Sequence, residues 1–258
     1  MGFVSPPRVY VPDLDAQRGA SEEDQEKEIL LRREEREHVR SRRLRDGDEV
    51  VVLDGKGARV AARLVRAGAA IALLPPQHSS SLSSSSSSSP LPGEPRNRVV
   101  VALACAEPAR VEWAVEKGTE CGAAGFVLLA CARSQKSHVT ALSSPARLAR
   151  LSRIAIEATK QCDRTIVPFV EGPKSTEEFL RRVRGETLVV LDPAARASEA
   201  RAGLPHELSI VIGPEGGFEP AELSSFAGRS PVFLSLGLRI LRLETAVVAA
   251  LVRLVEEG

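Results

Sequence analysis

The segment Ile212-Gly213-Pro214-Glu215-Gly216-Gly217-Phe218 decides the fold, together with a second segment further along, Leu236-Gly237-Leu238-Arg239-Ile240-Leu241-Arg242-Leu243-Glu244-Thr245-Ala246. Each follows a short apolar run, Leu208–Ile212 and Val232–Leu236, of the kind that forms a buried parallel strand. Each then continues into glycine, charged residues and the expected start of a helix. Parallel strands that end in such residues form a crevice in which a small polar molecule can bind. The pattern predicts an active site.

Around these segments, apolar strands alternate with helices, which is typical of a parallel sheet. The predicted strands are Val99–Cys105, Phe126–Cys131, Ile166–Val170, Leu188–Leu191, Leu208–Ile212 and Val232–Leu236. The predicted helices are Ala109–Cys121, Pro145–Cys162, Thr176–Arg184 and Thr245–Glu256. A further helix is expected to begin near Pro220, with Pro220 at its first position and Glu222 at its third. We therefore expect a compact α/β domain over residues 98–258.

The first part of the chain has a different organisation. Residues 75–97 are rich in serine and proline, cannot build a core, and predict a flexible linker. In residues 1–74 we expect a small β-barrel or curled sheet and one charged surface helix over Ser21–Arg43. The expected strands are Arg8–Val11, Glu49–Leu53, Arg59–Val65 and Ala69–Leu74, with a hairpin turn at Asp54-Gly55-Lys56-Gly57.

Composition limits the possible functions. The formal net charge is +1, but residues 32–66 hold eleven Lys/Arg against seven Asp/Glu, and residues 133–164 hold seven against two. Such clusters suit either phosphate binding or solvated helix faces. The four cysteines lack metal-ligand spacing, so we expect reduced structural thiols and no metal. No apolar run approaches the roughly 20 residues of a membrane span, and no signal-peptide pattern is seen at the start.

The two decisive segments leave alternatives open when each is taken alone. The glycines of residues 213–217 allow close approach of a ligand, but the same residues could form a simple turn. No Gly-Lys-Ser/Thr follows, and no GxGxxG follows any strand, which disfavours a P-loop and dinucleotide binding. The charged residues Arg239, Arg242 and Glu244 suit either an ion pair that anchors the loop or a cluster that orients substrate and handles protons.

The two segments resemble those of the family that methylates N3 of a uridine in small-subunit (16S-type) ribosomal RNA. That family belongs to the SPOUT class of knotted methyltransferases. Val111–Glu120 resembles the family's Glu-aromatic…Lys-x-Thr-Glu-Leu-Gly helix, and Ile154–Cys162 resembles its Ala-x-x-Gln-Cys helix. Arg133-Ser134 falls where the family carries an Arg-Ser or Glu-Arg pair. The resemblance runs over most of the chain.

The resemblance implies a trefoil knot in residues 98–258 and a PUA-like RNA-binding barrel in residues 1–74. It implies S-adenosylmethionine as the methyl donor, bound bent in the knot by three loops. The residues matched to those loops are Leu191, Asp192, Pro193, Ile212, Gly213, Pro214, Glu215, Gly216, Gly217, Leu236, Gly237, Ile240 and Leu241.

The expected catalytic residues are Arg242 and Glu244, with Arg239 beside them. They would remove the N3 proton or stabilise charge on the flanking carbonyl oxygens. The residues expected to contact RNA are Arg8, His38, Arg40, Arg43, Arg133 and Lys136.

The resemblance also implies a partner and a location. The partner would be small-subunit ribosomal RNA in an assembled or nearly assembled subunit, and the protein would be a homodimer in the cytoplasm. A plant or algal source would place it in the chloroplast or mitochondrion instead. Two alternatives remain: an RNA-binding protein on a SPOUT scaffold that no longer catalyses, and methylation of a different RNA.

Overall fold

The computed structural model describes residues 6–12, 14, 28–74, 91, 93–195 and 205–256. The chain divides into two compact units. The first comprises residues 1–93 together with the short segment Asp163–Ile166, and the second comprises residues 94–162 and 167–258. The predicted linker, residues 75–97, lies largely outside the described residues.

The first unit contains a five-stranded sheet in the order β1-β3-β4-β5-β2. Its elements are β1 (Arg8–Tyr10), β2 (Glu28–Leu30), α1 (Arg33–Ser41), β3 (Glu49–Leu53), β4 (Arg59–Val65) and β5 (Ala70–Leu73). The expected hairpin between β3 and β4 is confirmed, because these strands pair antiparallel. The Asp54 carboxylate stabilises its turn by accepting from the backbone N–H groups of Lys56 at 2.7 Å and Ala58 at 2.8 Å.

The prediction of one helix over Ser21–Arg43 is wrong for part of that range, and residues 21–27 lie outside the described residues. Glu28–Leu30 forms strand β2, which pairs antiparallel with β5, and the helix α1 spans only Arg33–Ser41. In β2 the Ile29 side chain is buried between exposed neighbours. Pairing with a distant strand therefore decides the conformation of a segment whose own charge density favours a helix.

The second unit contains a six-stranded parallel sheet in the order β11-β9-β10-β6-β7-β8. Its strands are β6 (Arg98–Ala104), β7 (Gly125–Leu129), β8 (Phe169–Lys174), β9 (Thr187–Leu191), β10 (Glu207–Ile212) and β11 (Val232–Leu234). Its helices are α2 (Pro108–Glu120), α3 (Lys136–Leu142), α4 (Pro145–Gln161), α5 (Thr176–Arg182), α6 (Pro220–Ala227) and α7 (Leu243–Leu254). The expected α/β class with a parallel sheet is confirmed.

Two predicted strands are displaced or shortened. The strand predicted at Ile166–Val170 has the wrong bounds, because the sheet strand β8 spans Phe169–Lys174. Ile166 instead makes isolated bridges to Gly55 and Lys56 within the first unit. The strand predicted at Val232–Leu236 ends at Leu234, where the chain turns into the loop that carries Gly237 at φ +116°. The helix α3 was not predicted.

The core of the second unit is aliphatic. Strands β6 and β7 are almost completely buried, as expected for parallel strands with helices on both faces. Phe126, Phe179 and Phe226 are its largest fully buried side chains. In the described part of the chain, no helix is long and apolar enough to cross a membrane.

Candidate functional site

A cavity of about 320 Å³ lies where three neighbouring strands, β11, β9 and β10, end. Three loops enclose it, and they begin at Leu191, at Ile212 and at Leu234. Its lining consists of Leu191, Asp192, Pro193, Ile212, Gly213, Pro214, Glu215, Gly217, Phe218, Leu223, Leu234, Leu236, Gly237, Arg239, Ile240, Leu241, Leu243 and Ala246. The volume falls in the range of small-molecule sites, roughly 300–1,000 Å³. Most of the lining is aliphatic, with few charged side chains.

The residues expected to bind a cofactor come together at this cavity. All of those matched by the resemblance line it except Gly216. The sequence analysis missed Phe218 and Leu223, which follow the glycine loop, and Leu243 and Ala246 at the start of α7. Their apolar character is the same in a core residue and in a pocket residue, so only the fold distinguishes the two.

The loop Gly213–Gly217 is held by its neighbours. A Cβ atom at Gly213 would lie 2.9 Å from Cε2 of Phe218, whose ring packs edge-on against buried Phe226. Gly217 adopts φ +71°, which favours glycine. The Arg133 guanidinium donates to the backbone carbonyl of Gly216 at 2.6 Å. The Phe218 ring and the Arg133 guanidinium therefore both hold the loop in place.

Helix α6 follows this loop and begins as the sequence predicts. Pro220 occupies its first turn, and Glu219 and Glu222 form a reciprocal capping box. The Glu222 carboxylate also accepts hydrogen bonds at 3.1 Å from the backbone N–H of Ala132 and from the hydroxyl of Thr176. One carboxylate thus ties α6 to two further segments of the second unit.

The three residues expected to be catalytic differ in their surroundings. Arg239 is exposed and lines the cavity, and Arg242 is exposed at the N-cap of α7. Glu244 lies in the first turn of α7, does not line the cavity, and has a side chain only 14% exposed. Its Oε2 atom accepts a hydrogen bond at 2.8 Å from Nε of Arg110.

Arg110 pairs with a residue of the cavity lining, and no pattern in the sequence indicates this contact. It lies in the first turn of α2 and makes ion pairs with two carboxylates, those of Glu215 and Glu244. Partial burial opposes the charge of Arg110, but the hydrogen bonds to Glu244 and Glu215 outweigh it and raise its pKa. A backbone hydrogen bond, helped by Arg110, lowers the pKa of Glu215 despite its partial burial. Glu215 is thus ionised at neutral pH.

The residues expected to contact RNA occur in both units. In the first unit, Arg40 and Arg43 are exposed and His38 is half-buried, all at the end of α1. The Arg8 guanidinium is held by Asp163, with its Nη2 2.8 Å from Oδ1. In the second unit, Lys136 is exposed at the start of α3 and Arg133 braces the glycine loop.

The four thiols are all free, and Cys105 and Cys131 are buried. Burial raises the pKa of each of these two thiols to about 12. No group of three or more metal-ligating side chains occurs among the described residues.

Comparison with known proteins assigns the chain to a family. A family model described as RNA methyltransferase domain matches residues 93–255. Ribosomal RNA small subunit methyltransferase E of Mycobacterium bovis is 31% identical over 81% of this chain and 79% of its own length. The chain belongs to this methyltransferase family.

Further relatives agree with this assignment. The protein of the same name from Bacillus subtilis is 34% identical over 60% of this chain, a match that spans 64% of that relative. Ribosomal RNA small subunit methyltransferase E of Neisseria gonorrhoeae, whose crystal structure is bound to S-adenosyl methionine, superposes with a TM-score of 0.77. It is 22% identical, and the superposition covers 96% of this chain and 95% of that one. The expected SPOUT-type fold, a parallel-sheet domain preceded by a small β domain, is thereby confirmed.

Proposed function

We propose that this protein uses S-adenosylmethionine to methylate N3 of a uridine in small-subunit ribosomal RNA. The observation that carries the proposal is the cavity formed by three loops at the ends of β9, β10 and β11 in a member of this family. Relatives named for methylation of the same RNA, and one relative bound to S-adenosyl methionine, support it. The choice of uridine N3 rests on the resemblance of residues 212–218 and 236–246 to the corresponding segments of the family.

The residues of the cavity fit the proposed methyl donor. The aliphatic side chains suit its adenine and methionine carbons, and the cavity is large enough for a small ligand. Glycines at 213, 217 and 237 leave backbone N–H and C=O groups accessible, and these are the polar groups that recognise an adenine edge. The charged side chains of the lining are those of Asp192, Arg239 and Glu215, and Glu215 is paired with Arg110.

The donor supplies an already activated methyl group, so the protein has two tasks: to align the reacting atoms and to make N3 of the uridine nucleophilic. The imide proton is weakly acidic, and its loss places negative charge on the two flanking carbonyl oxygens. Arg239 lines the cavity and Arg242 is exposed close by in sequence. We assign to these guanidinium groups the stabilisation of that charge.

Glu244 holds a different position from the two arginines. Its carboxylate is bonded to Arg110 and lies outside the cavity lining. A general base must come within hydrogen-bond reach of the proton that it removes. We therefore propose that Glu244 orients the loop before α7, and that it accepts the N3 proton only if substrate binding turns its carboxylate toward the uracil ring.

The proposed partners follow from charge and exposure. The exposed arginines of α1 would contact RNA phosphates. A second copy of the chain would cover apolar side chains that stay exposed in the second unit outside the cavity, including Trp113 and Val252. Bacterial ribosomal subunits are assembled in the cytoplasm, which is the location we propose.

The test is mass spectrometric mapping of methylated nucleosides in small-subunit RNA from cells with and without the protein. We expect N3-methyluridine to be lost at one position and restored by the wild-type gene. Arg242→Ala should fail to restore it while the purified variant still binds S-adenosylhomocysteine in calorimetry. An unchanged nucleoside map would reject uridine N3 as the target. A wild-type protein that does not bind S-adenosylhomocysteine would instead indicate a non-catalytic RNA-binding protein.

A further inference from the structure

Arg110 connects the glycine loop of the cavity to the start of α7, the helix that follows the third loop. Its Nε atom donates to Glu244 at the start of α7, and its Nη1 atom donates to Glu215 in the glycine loop. These partners lie 134 and 105 residues away in sequence. Arg110 itself is absent from the cavity lining. Any effect that it has on a bound ligand must therefore act through the two glutamates.

Helix α2, which carries Arg110, packs tightly in the core of the second unit. Its residues Val111, Ala114 and Val115 are completely buried. At Gly118 a Cβ atom would lie 2.8 Å from the Phe126 ring and 3.3 Å from Cγ1 of Val247 in α7, so α2 and α7 pack in close contact. A guanidinium on a firmly packed helix can fix two carboxylates at defined points, because its nitrogen atoms form a planar fork.

The hydrogen bonding of Arg110 is incomplete. Its third guanidinium nitrogen, Nη2, is buried and has no partner within the described ranges. Buried donors without a protein partner are rare in native proteins, and ordered water commonly satisfies them. Lys117, on the same helix, provides a contrast: it also pairs with two carboxylates, but those of Glu116 and Glu120 in its own helix. Lys117 stabilises a helix, whereas Arg110 joins separate elements.

We propose that Arg110 is a positioning residue that holds the glycine loop and the start of α7 in the arrangement that binds the methyl donor. The inference rests on the proposed function of the cavity. A loop that is already ordered loses less conformational freedom when a ligand binds, so affinity increases without a direct contact. The effect should therefore fall on the methyl donor and leave RNA binding unchanged.

The experiment compares Arg110→Met, Arg110→Lys and the matched control Lys117→Met in the full chain. Calorimetry gives the dissociation constant of S-adenosylhomocysteine, and steady-state assays give KM for S-adenosylmethionine and for RNA. For Arg110→Met we expect both the dissociation constant and the donor KM to rise roughly tenfold, as expected for the loss of charge-assisted hydrogen bonds, with the RNA KM unchanged. Arg110→Lys should be intermediate, because one ammonium cannot hold both carboxylates as a fork does. Lys117→Met should match the wild type.

A double-mutant cycle isolates the mechanism. Glu244→Gln should weaken donor binding in the wild type and have little further effect in Arg110→Met, because Glu244 lies outside the cavity lining and its pair with Arg110 is already broken. Unchanged donor affinity in Arg110→Met, or an equal loss in Lys117→Met, would overturn the proposal. If Arg110→Met does not fold, Arg110→Lys decides, and wild-type donor affinity in that variant rejects the role. Failure of the proposed function itself looks different, since the wild type would then bind no donor analogue.

Discussion

Gly213 and Gly216 belong to the same loop, yet the space around them differs. A Cβ atom at Gly213 would lie 2.9 Å from the Phe218 ring, which lines the cavity and packs against Phe226. A Cβ atom at Gly216 would meet only the flexible Arg133 side chain, at 3.4 Å. We predict that Gly213→Ala weakens binding of S-adenosylhomocysteine by about tenfold or more, because Phe218 must move, an overpacking cost of about 1–3 kcal/mol.

Gly216→Ala is the matched control for this prediction. It should bind S-adenosylhomocysteine like the wild type in calorimetry, since its new methyl group makes only an ordinary contact. Equal losses in both variants would show that the loop needs glycine for flexibility instead of space. No loss in Gly213→Ala would show that Phe218 can move without cost to the cavity.

The buried thiols predict how stability depends on pH. Burial raises the pKa of Cys105 to about 12, and burial with the nearby Glu222 does the same for Cys131. In the unfolded chain both thiols would ionise near pH 8.5. Between about pH 8.5 and 12 the unfolded state therefore holds fewer protons than the folded state, and the free energy of unfolding falls as pH rises.

The measurement is urea unfolding at a series of pH values for the wild type and for Cys105→Ala/Cys131→Ala. The double variant should be less stable overall because it loses buried volume, but its stability should fall less steeply between about pH 8.5 and 10.5. Parallel pH profiles for the two proteins would contradict the shifted thiol pKa values. Comparing slopes removes the contribution of other groups that titrate in this range.

The glycines of the cavity can be recognised in the sequence, whereas Arg110, which we propose to position two elements around the cavity, cannot. Gly213 stands directly after an apolar strand and Gly217 follows four residues later, so a local pattern shows where the chain turns. Arg110 lies in an ordinary helix turn, and its partners are more than 100 residues away. Nothing near Arg110 in sequence indicates that contact. Residues defined by backbone geometry can be predicted locally, whereas those defined by distant partners cannot.

At the level of elements, the same rule explains the errors in the predicted strands and helices. The buried strands β6, β7 and β10 were predicted almost to the residue, because continuous apolar runs persist through them. The three-residue strand β2 was predicted as helix, because only its pairing with β5 makes it extended. Helix α3 buries a single residue, Leu142, and so leaves no apolar periodicity to detect.

Helix α1 supports a prediction about RNA binding. It buries Glu35 and Val39 and leaves its arginines exposed, including Arg40. We predict that Arg40→Ala/Arg43→Ala weakens RNA binding and reduces the slope of log affinity against log salt by roughly one to two, because each phosphate contact releases counterions. Fluorescence anisotropy with a small-subunit RNA fragment over a range of salt concentrations measures both quantities.

The control for α1 is Arg33→Ala on the same helix. Arg33 already pairs with Glu37, with Nε 2.9 Å from Oε1, so its removal should change the slope less. A double variant with the wild-type slope would place the RNA contact elsewhere. An equal reduction of the salt slope in the double variant and in Arg33→Ala would show that RNA responds to the summed positive charge of the whole helix and not to contacts at its end.

For the molecule as a whole, large apolar side chains remain exposed in the second unit. They are Trp113, Phe233, Leu238, Ile240 and Val252, and the exposed fractions of Ile240 and Val252 are 90% and 63%. Single exposed apolar residues are normal in soluble proteins, whereas a contiguous apolar patch marks a surface that another protein covers. Together with the resemblance, this exposure favours a homodimer through the second unit.

Val252→Glu tests that arrangement, because a charge in the interface would be desolvated without a partner. Light scattering coupled to size exclusion should give a dimer for the wild type and a dimer dissociation constant at least about tenfold higher for Val252→Glu. The control is Leu30→Glu, an equally exposed apolar residue of the first unit, at 68%, which should stay dimeric. A wild type that is monomeric at every concentration, or two variants that behave alike, would remove the second unit as the interface. Loss of donor binding along with dimerisation would further show that the cavity is complete only in the assembled pair.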